Sequence, residues 1–135
     1  MYSYETKIRV RYNETDRMGY LHHSVYVAYF EVARTEMMRN MGITYKEMED
    51  SGILLPVYAL DISYKQPAFY DEILTIKSTL TKIPSVRLIV EYEVLNHDRQ
   101  VICTATSTNV FVNAQNRKPV RAPEGFLAKF NEFFG

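Results

Sequence analysis

Between Tyr12 and Tyr29 the chain gathers two carboxylates and two imidazoles, in the run YNETDRMGYLHHSVYVAY. Glu14, Asp16, His22 and His23 are of the residue types that take and give protons in general acid–base chemistry. By type and spacing alone, Asp16 in the turn-rich loop NETDRMG reads as a turn or capping residue. Glu14 reads equally as a solvated loop charge or as a modulator of a nearby site. His22 and His23 are adjacent, so at most one of them faces a given site. No spaced set of His, Cys, Asp and Glu completes a metal site, and no metal is assigned. There is no Gly-x-Ser-x-Gly elbow, which excludes a serine-triad esterase of that kind, and no phosphate-loop glycine motif. Cys103, the only cysteine, lies among small strand residues with no His partner placed by sequence. It reads as a buried, inert thiol, and it excludes an intrachain disulfide.

The elements that must position these groups are legible from periodicity. Tyr26, Tyr29, Phe30, Ala33, Met37 and Met41 recur every three or four residues and fall on one helix face. Ser24 is the expected N-cap and Gly42 the terminator. Arg34, three after Glu31, is expected to support the helix through charge pairing. Thr44 and Glu47 match a capping box opening a short helix that ends at Gly52. Glu5 to Tyr12 reads as a first strand. From Leu55 the period becomes two: Tyr58, Leu60, Ile62 and Tyr64 alternate with Val57, Ala59, Asp61, Ser63 and Lys65, up to Gln66-Pro67. Leu74, Ile76, Ser78 and Leu80 form one face of a third strand. Val86, Leu88, Val90, Tyr92 and Val94 form one face of a fourth, and Val101 to Asn113 is a fifth. The basic loop NRKPVRAP precedes a short helix carrying Phe126, Leu127, Phe130 and Phe133. Four consecutive strands after one long helix predict an α+β fold with an antiparallel sheet and the helix across its concave face.

Length and charge bound the function classes. At 135 residues, residues 1–135 are expected to form one domain with a core that needs no metal or disulfide. Sixteen basic and sixteen acidic residues cancel, so no net field favours nucleic acid or an acidic membrane, and a bound anion needs a local patch. No apolar run is long enough to span a bilayer, and the N-terminus has no signal-peptide stretch. With the lone cysteine, this predicts a cytoplasmic setting.

The same segment carries a resemblance. Tyr12, Thr15-Asp16, Gly19, His23, Tyr26, Phe30-Glu31 and Arg34, in this order, resemble the pattern of hotdog-fold thioesterases of the 4-hydroxybenzoyl-CoA thioesterase type. YKQPAFYDEIL and RKPVRAPEGF resemble two later stretches of that family, so the likeness covers nearly the whole chain. It implies a hotdog fold, an antiparallel five-stranded sheet wrapped around one long helix, and hydrolysis of an acyl-CoA to free acid and CoA. Asp16 would be general base or nucleophile. Gly19 would let the backbone turn tightly and pass close to the substrate. Unpaired N–H groups at the helix start near His23 would polarise the thioester carbonyl, with the His23 side chain orienting water or the acyl group. CoA belongs to the substrate, so no separate cofactor is expected. Its phosphates would meet Arg117, Lys118, Arg121 and Arg87, with Lys65 and Lys82 behind them. The resemblance further implies a homodimer or homotetramer with sites at the subunit interface. Many relatives carry aspartates on both sides of the Thr, where this chain reads Asn13-Glu14-Thr15-Asp16. An acyl-carrier-protein thioesterase and a non-catalytic acyl-CoA-binding module are the alternatives. The first predicts a basic docking patch for an acidic partner, to which the neutral net charge lends no support, and the second usually carries a regulatory domain, for which the chain is expected to be too short.

Overall fold

A computed structural model describes residues 1–134. Strand β1 (Tyr2–Arg9) leads through a 3-10 turn (Tyr12–Glu14) and a loop into helix α1 (Val25–Asn40) and the short α2 (Tyr45–Asp50). Then follow β2 (Ile53–Leu54), β3 (Val57–Tyr64), β4 (Ile73–Leu80), β5 (Arg87–Leu95), β6 (Val101–Val110), β7 (Val112–Asn113) and α3 (Glu124–Phe133). Five strands form one sheet in the order β1-β4-β5-β6-β3, every ladder antiparallel. β2 and β7 make a separate two-stranded ribbon. Tyr26, Tyr29, Phe30, Ala33 and Met37 of α1 are buried in one core with Leu74, Ile76 and Leu80, with Leu88, Val90 and Tyr92, and with Cys103 and Ala105. Those are the faces that alternation predicts for β4 and β5. The fold is the hotdog arrangement, with one long helix lying against the inner face of a five-stranded antiparallel sheet. No helix among the described residues is long and apolar enough to cross a membrane.

Several local expectations change. β1 starts at Tyr2 and ends at Arg9, because Val10 exchanges backbone hydrogen bonds with Asp71 and Glu72 and the 3-10 turn begins at Tyr12. Ser24 already has helical dihedrals and caps nothing with its hydroxyl. Instead the His22 ring Nδ1 accepts the Ser24 N–H at 3.2 Å, so His22 satisfies a helix-start donor. Thr44 does cap α2, its Oγ1 accepting the Glu47 N–H at 3.1 Å. The fifth strand breaks at the fully buried Phe111, whose N–H donates to Val86 O, and restarts as β7. A register shift between Val57 and Ala59 inserts Tyr58 as an extra residue opposite β6. Such a bulge re-aims a side chain, and Tyr58 leaves the inner face of Leu60, Ile62 and Tyr64 for the outer one. Arg34 is buried and does not pair with the exposed Glu31. Its Nε donates to Tyr45 Oη at 2.7 Å and its Nη1 to Tyr92 Oη at 3.2 Å, with Ser107 Oγ 3.0 Å from that same hydroxyl.

The connection from β3 to β4 is not a hairpin. It carries the chain from the free edge of β3 across to the far side of the sheet, where β4 sits between β1 and β5. On the way it runs alongside the loop that holds Asp16: Leu21 N–H donates to Ala68 O at 2.7 Å, and Tyr20 bridges Phe69. The stretch YKQPAFYDEIL is therefore a buttress for that loop.

Candidate active site

The Asp16 loop is a tight turn closed on its own carboxylate. Asp16 Oδ1 accepts the N–H groups of Met18 (2.9 Å) and Tyr20 (3.1 Å), and Asp16 N–H donates to Tyr20 O at 2.8 Å. Oδ2 accepts no hydrogen bond from any described residue, so one oxygen is fixed and the other is available. Gly19 has φ +79°, in the left-handed region that costs glycine little, and its N–H donates to Asp16 O. A Cβ there would meet nothing within 4 Å, so it is backbone conformation, not crowding within the chain, that calls for glycine.

Glu14 holds this turn to the helix. Its carboxylate is buried; Oε1 accepts the Arg11 N–H at 2.8 Å and the Tyr29 hydroxyl at 2.7 Å, and Oε2 pairs with the Arg11 guanidinium at 2.8 Å. Glu14 O also accepts the His22 N–H at 2.9 Å. Burial pushes the Glu14 carboxyl up, but the Arg11 and Tyr29 hydrogen bonds outweigh it and hold the group below the ordinary carboxylate range. The solvated-charge reading of Glu14 is thus wrong. It is a fully bonded hub joining the 3-10 turn, the helix start and α1. The signal for it was faint: Tyr29 lies on the buried stripe, and a buried tyrosine hydroxyl needs an acceptor.

Asp16 and His23 line one open cavity of about 310 Å³, together with Tyr20, Tyr26, Tyr64 and Lys65. Tyr64, at the end of β3, donates its hydroxyl to His23 O at 2.9 Å, and its ring meets those of Tyr26 and His23 edge-on. Periodicity alone assigned Tyr64 to the strand face and missed this tie. Burial pushes the Tyr26 hydroxyl above its ordinary value, which keeps it a neutral donor. His23 N–H, just before α1, has no acceptor among the described residues, so an unpaired donor lies on a residue of the cavity wall near the helix's positive end.

The basic residues lie elsewhere in the same protomer. Arg117, Lys118 and Arg121 are exposed beyond β7, and Arg87 is exposed at the start of β5. They flank the Val57 end of β3, and the Asp16 cavity sits at its Tyr64 end, roughly 23 Å away at ~3.3 Å per residue. Of the cationic candidates, only Lys65 lines the cavity itself. Cys103 faces the core, and burial pushes its thiol up to about 11. No group of three or more His, Cys, Asp and Glu that could hold a metal occurs among the described residues.

Comparison with known proteins gives one consistent result. A family model described as the thioesterase-like superfamily matches residues 10–130. A Bacillus subtilis protein named putative acyl-CoA thioesterase YneP is 32% identical over 126 residues, covering 93% of this chain and 91% of its own. The Escherichia coli acyl-CoA thioester hydrolase YbgC is 28% identical, covering 93% of each chain. The crystal structure of a DHNA-CoA thioesterase from Staphylococcus aureus superposes with a TM-score of 0.92 at 30% identity, covering 98% of this chain and 91% of that one.

Proposed function

The chain belongs to the thioesterase-like superfamily, and from that membership and the cavity joining Asp16 to His23 we propose that it is an acyl-CoA thioesterase, releasing free acid and CoA. It is a thioester hydrolase, as relatives that match along almost its whole length are named. The acyl-CoA substrate is taken from the relatives' names, and the observation that carries the hydrolytic reading is the half-occupied Asp16 carboxylate. Oδ1 is anchored by two backbone N–H groups, and Oδ2 is left to take a proton from water or to attack the thioester carbonyl. The unpaired His23 N–H at the positive end of α1 suits the oxyanion that develops in either route. The His23 ring, set by Tyr64 and stacked on His22 with centroids 4.3 Å apart, orients the water or acyl group. Tyr26 and Tyr64 supply the apolar wall against which the acyl chain lies. Screening short, long and aromatic acyl-CoAs for turnover tests this reading. Hydrolysis of at least one class at enzymatic rates supports it, and no turnover of any class refutes it.

The functional unit is a homodimer or a homotetramer built from two such dimers. β3 is a free sheet edge carrying the exposed apolar residues Val57 and Tyr64, the kind of edge that natural proteins cover. Two-fold pairing of two β3 strands runs them antiparallel. The Val57 end of one copy then lies beside the Tyr64 end of the other. Arg87, Arg117, Lys118 and Arg121 of one copy thereby approach the Asp16 cavity of the other and can meet the phosphates of CoA, which resolves the separation seen within one protomer. Sedimentation velocity reads this directly: a dimer or tetramer is expected, and a monomer at micromolar concentration refutes it. The cytoplasmic setting belongs to the same proposal, and the single cysteine, free and buried, is consistent with it.

A further inference from the structure

The bulge at Tyr58 has a chemical consequence. A regular β3 would hold this ring on the inner face, whereas here it is 67% exposed on the outer face. Arg87, whose neighbours Leu88 and Val90 point inward, extends along that outer face, its Cζ 5.1 Å from the Tyr58 ring centroid. A guanidinium over an aromatic ring is a flat, cationic surface that costs little to order, because each partner holds the other. Three shallow grooves meet around it. The groove between Lys82 and Arg87 shares Val86 and Arg87 with the one under Tyr58, which has a volume of about 290 Å³. That groove in turn shares Pro56 and Val112 with a third, which holds Arg117. None of Lys82, Arg87 and Arg117 is paired with a carboxylate among the described residues. Glu49 is the one acidic residue on the combined lining.

We propose that Tyr58 and Arg87 form a stacking platform for the adenine ring of coenzyme A. Its phosphates lie against Lys82 and Arg117 in the flanking grooves. The groove is apolar at its centre and unpaired-cationic at both ends, which is complementary to an aromatic base that carries phosphates. Bases stack on tyrosine and arginine planes without needing a sequence-specific hydrogen-bond pattern. Edge pairing through β3 extends the sheet sideways and leaves its outer face open, so the platform stays accessible in the dimer. The inference rests on the acyl-CoA reading for the identity of the nucleotide, and it assigns Tyr58 a role in substrate affinity that leaves the reacting atoms untouched.

Binding of adenosine 3′,5′-bisphosphate by calorimetry, with inorganic pyrophosphate as the base-free control, tests the platform independently of turnover. Wild type is expected to bind the bisphosphate more tightly than pyrophosphate. Tyr58→Ala is expected to weaken the bisphosphate about tenfold and leave pyrophosphate unchanged, while Tyr58→Phe stays within twofold of wild type. In kinetics, Tyr58→Ala raises KM for acyl-CoA by a similar factor and leaves KM for the matching N-acetylcysteamine thioester, and kcat for both, unchanged. Because Tyr58 is exposed, its loss should not unfold the chain. Equal bisphosphate affinity in wild type and Tyr58→Ala, or pyrophosphate binding as tight as the bisphosphate, overturns the platform. A wild type that binds the bisphosphate but hydrolyses no acyl-CoA refutes the catalytic reading alone. One that hydrolyses acyl-CoA with the same KM as its N-acetylcysteamine analogue refutes the platform alone.

Discussion

Replacing Tyr29 with Phe removes one hydroxyl and leaves the ring packing of α1 as it is. That hydroxyl, on a ring only 2% exposed, donates to the buried carboxylate of Glu14 at 2.7 Å. A hydrogen bond to a charged group contributes about 1.5–3 kcal/mol, and ~2 kcal/mol is a fair central value. Unfolding entropy near 2.1 cal/mol/K per residue gives ~0.28 kcal/mol/K for 135 residues. The substitution should therefore lower Tm by about 7 °C at pH 7. The sign of the pH dependence follows from the hydrogen bonds. Glu14 is held below its ordinary value in the folded chain, so the stability carried by its ionised form is complete above the unfolded value of about 4.3. It is lost as pH falls through the lower, folded value. The Tyr29→Phe deficit should accordingly be constant from pH 7 to pH 5 and shrink below that, as the acceptor becomes a neutral carboxyl. Thermal melts followed by circular dichroism across pH 7 to 3 measure both quantities. A drop smaller than about 2 °C at pH 7, or a deficit that grows in acid, refutes Glu14 as the charged anchor of the Asp16 loop.

Three further outcomes follow from the same geometry. Arg34→Ala should cost about 3 kcal/mol or more, because it empties a buried site, strips the Tyr45 hydroxyl of its donor and leaves the Tyr92 hydroxyl with Ser107 alone. Glu31→Gln should stay within about 0.5 kcal/mol, and equal losses in the two by urea denaturation would restore the helix-pairing role for Arg34. Cys103, buried with its thiol pushed up to about 11, should resist a thiol reagent at pH 8 in the folded protein and react at once in denaturant; rapid labelling of the native chain would contradict its placement. Reversing charge at Arg117 and Lys118 together should raise KM for acyl-CoA about fivefold to tenfold, equivalent to about 1–1.4 kcal/mol, with KM for a small thioester unchanged. A parallel rise in both would point to damage to the fold.

What the sequence disclosed depended on the range of the interaction. The apolar stripe of α1 and the alternation of β4 and β5 are repeated, local signals, and they gave the correct faces. Asp16, Gly19 and His23 stood out through the order of the motif, and two of them do meet in one cavity. Tyr58 was misassigned because the alternation from Val57 to Tyr64 runs on unbroken in the sequence, while the bulge is set by pairing with β6. Arg34 sits one turn from Glu31 on any helical wheel, but its partners come from outside the helix, Tyr45 of α2 and Tyr92 of β5. Glu14 was ambiguous for the same reason: its burial depends on Arg11 and Tyr29 closing around it. The crossover after β3 was hidden behind four consecutive strands whose order the sequence pattern leaves open, and only the ladders reveal that β4 inserts between β1 and β5.

The central claim is that Asp16 does the chemistry, and Asp16→Asn tests it most directly. The amide oxygen of Asn can keep the Met18 and Tyr20 hydrogen bonds that shape the turn, so the loop should hold its form while losing the base or nucleophile. With the best acyl-CoA from the turnover screen, kcat is predicted to fall by at least about 100-fold, with Tm within a few degrees of wild type. A folded Asp16→Asn enzyme that hydrolyses the same acyl-CoA at the wild-type rate would contradict the account.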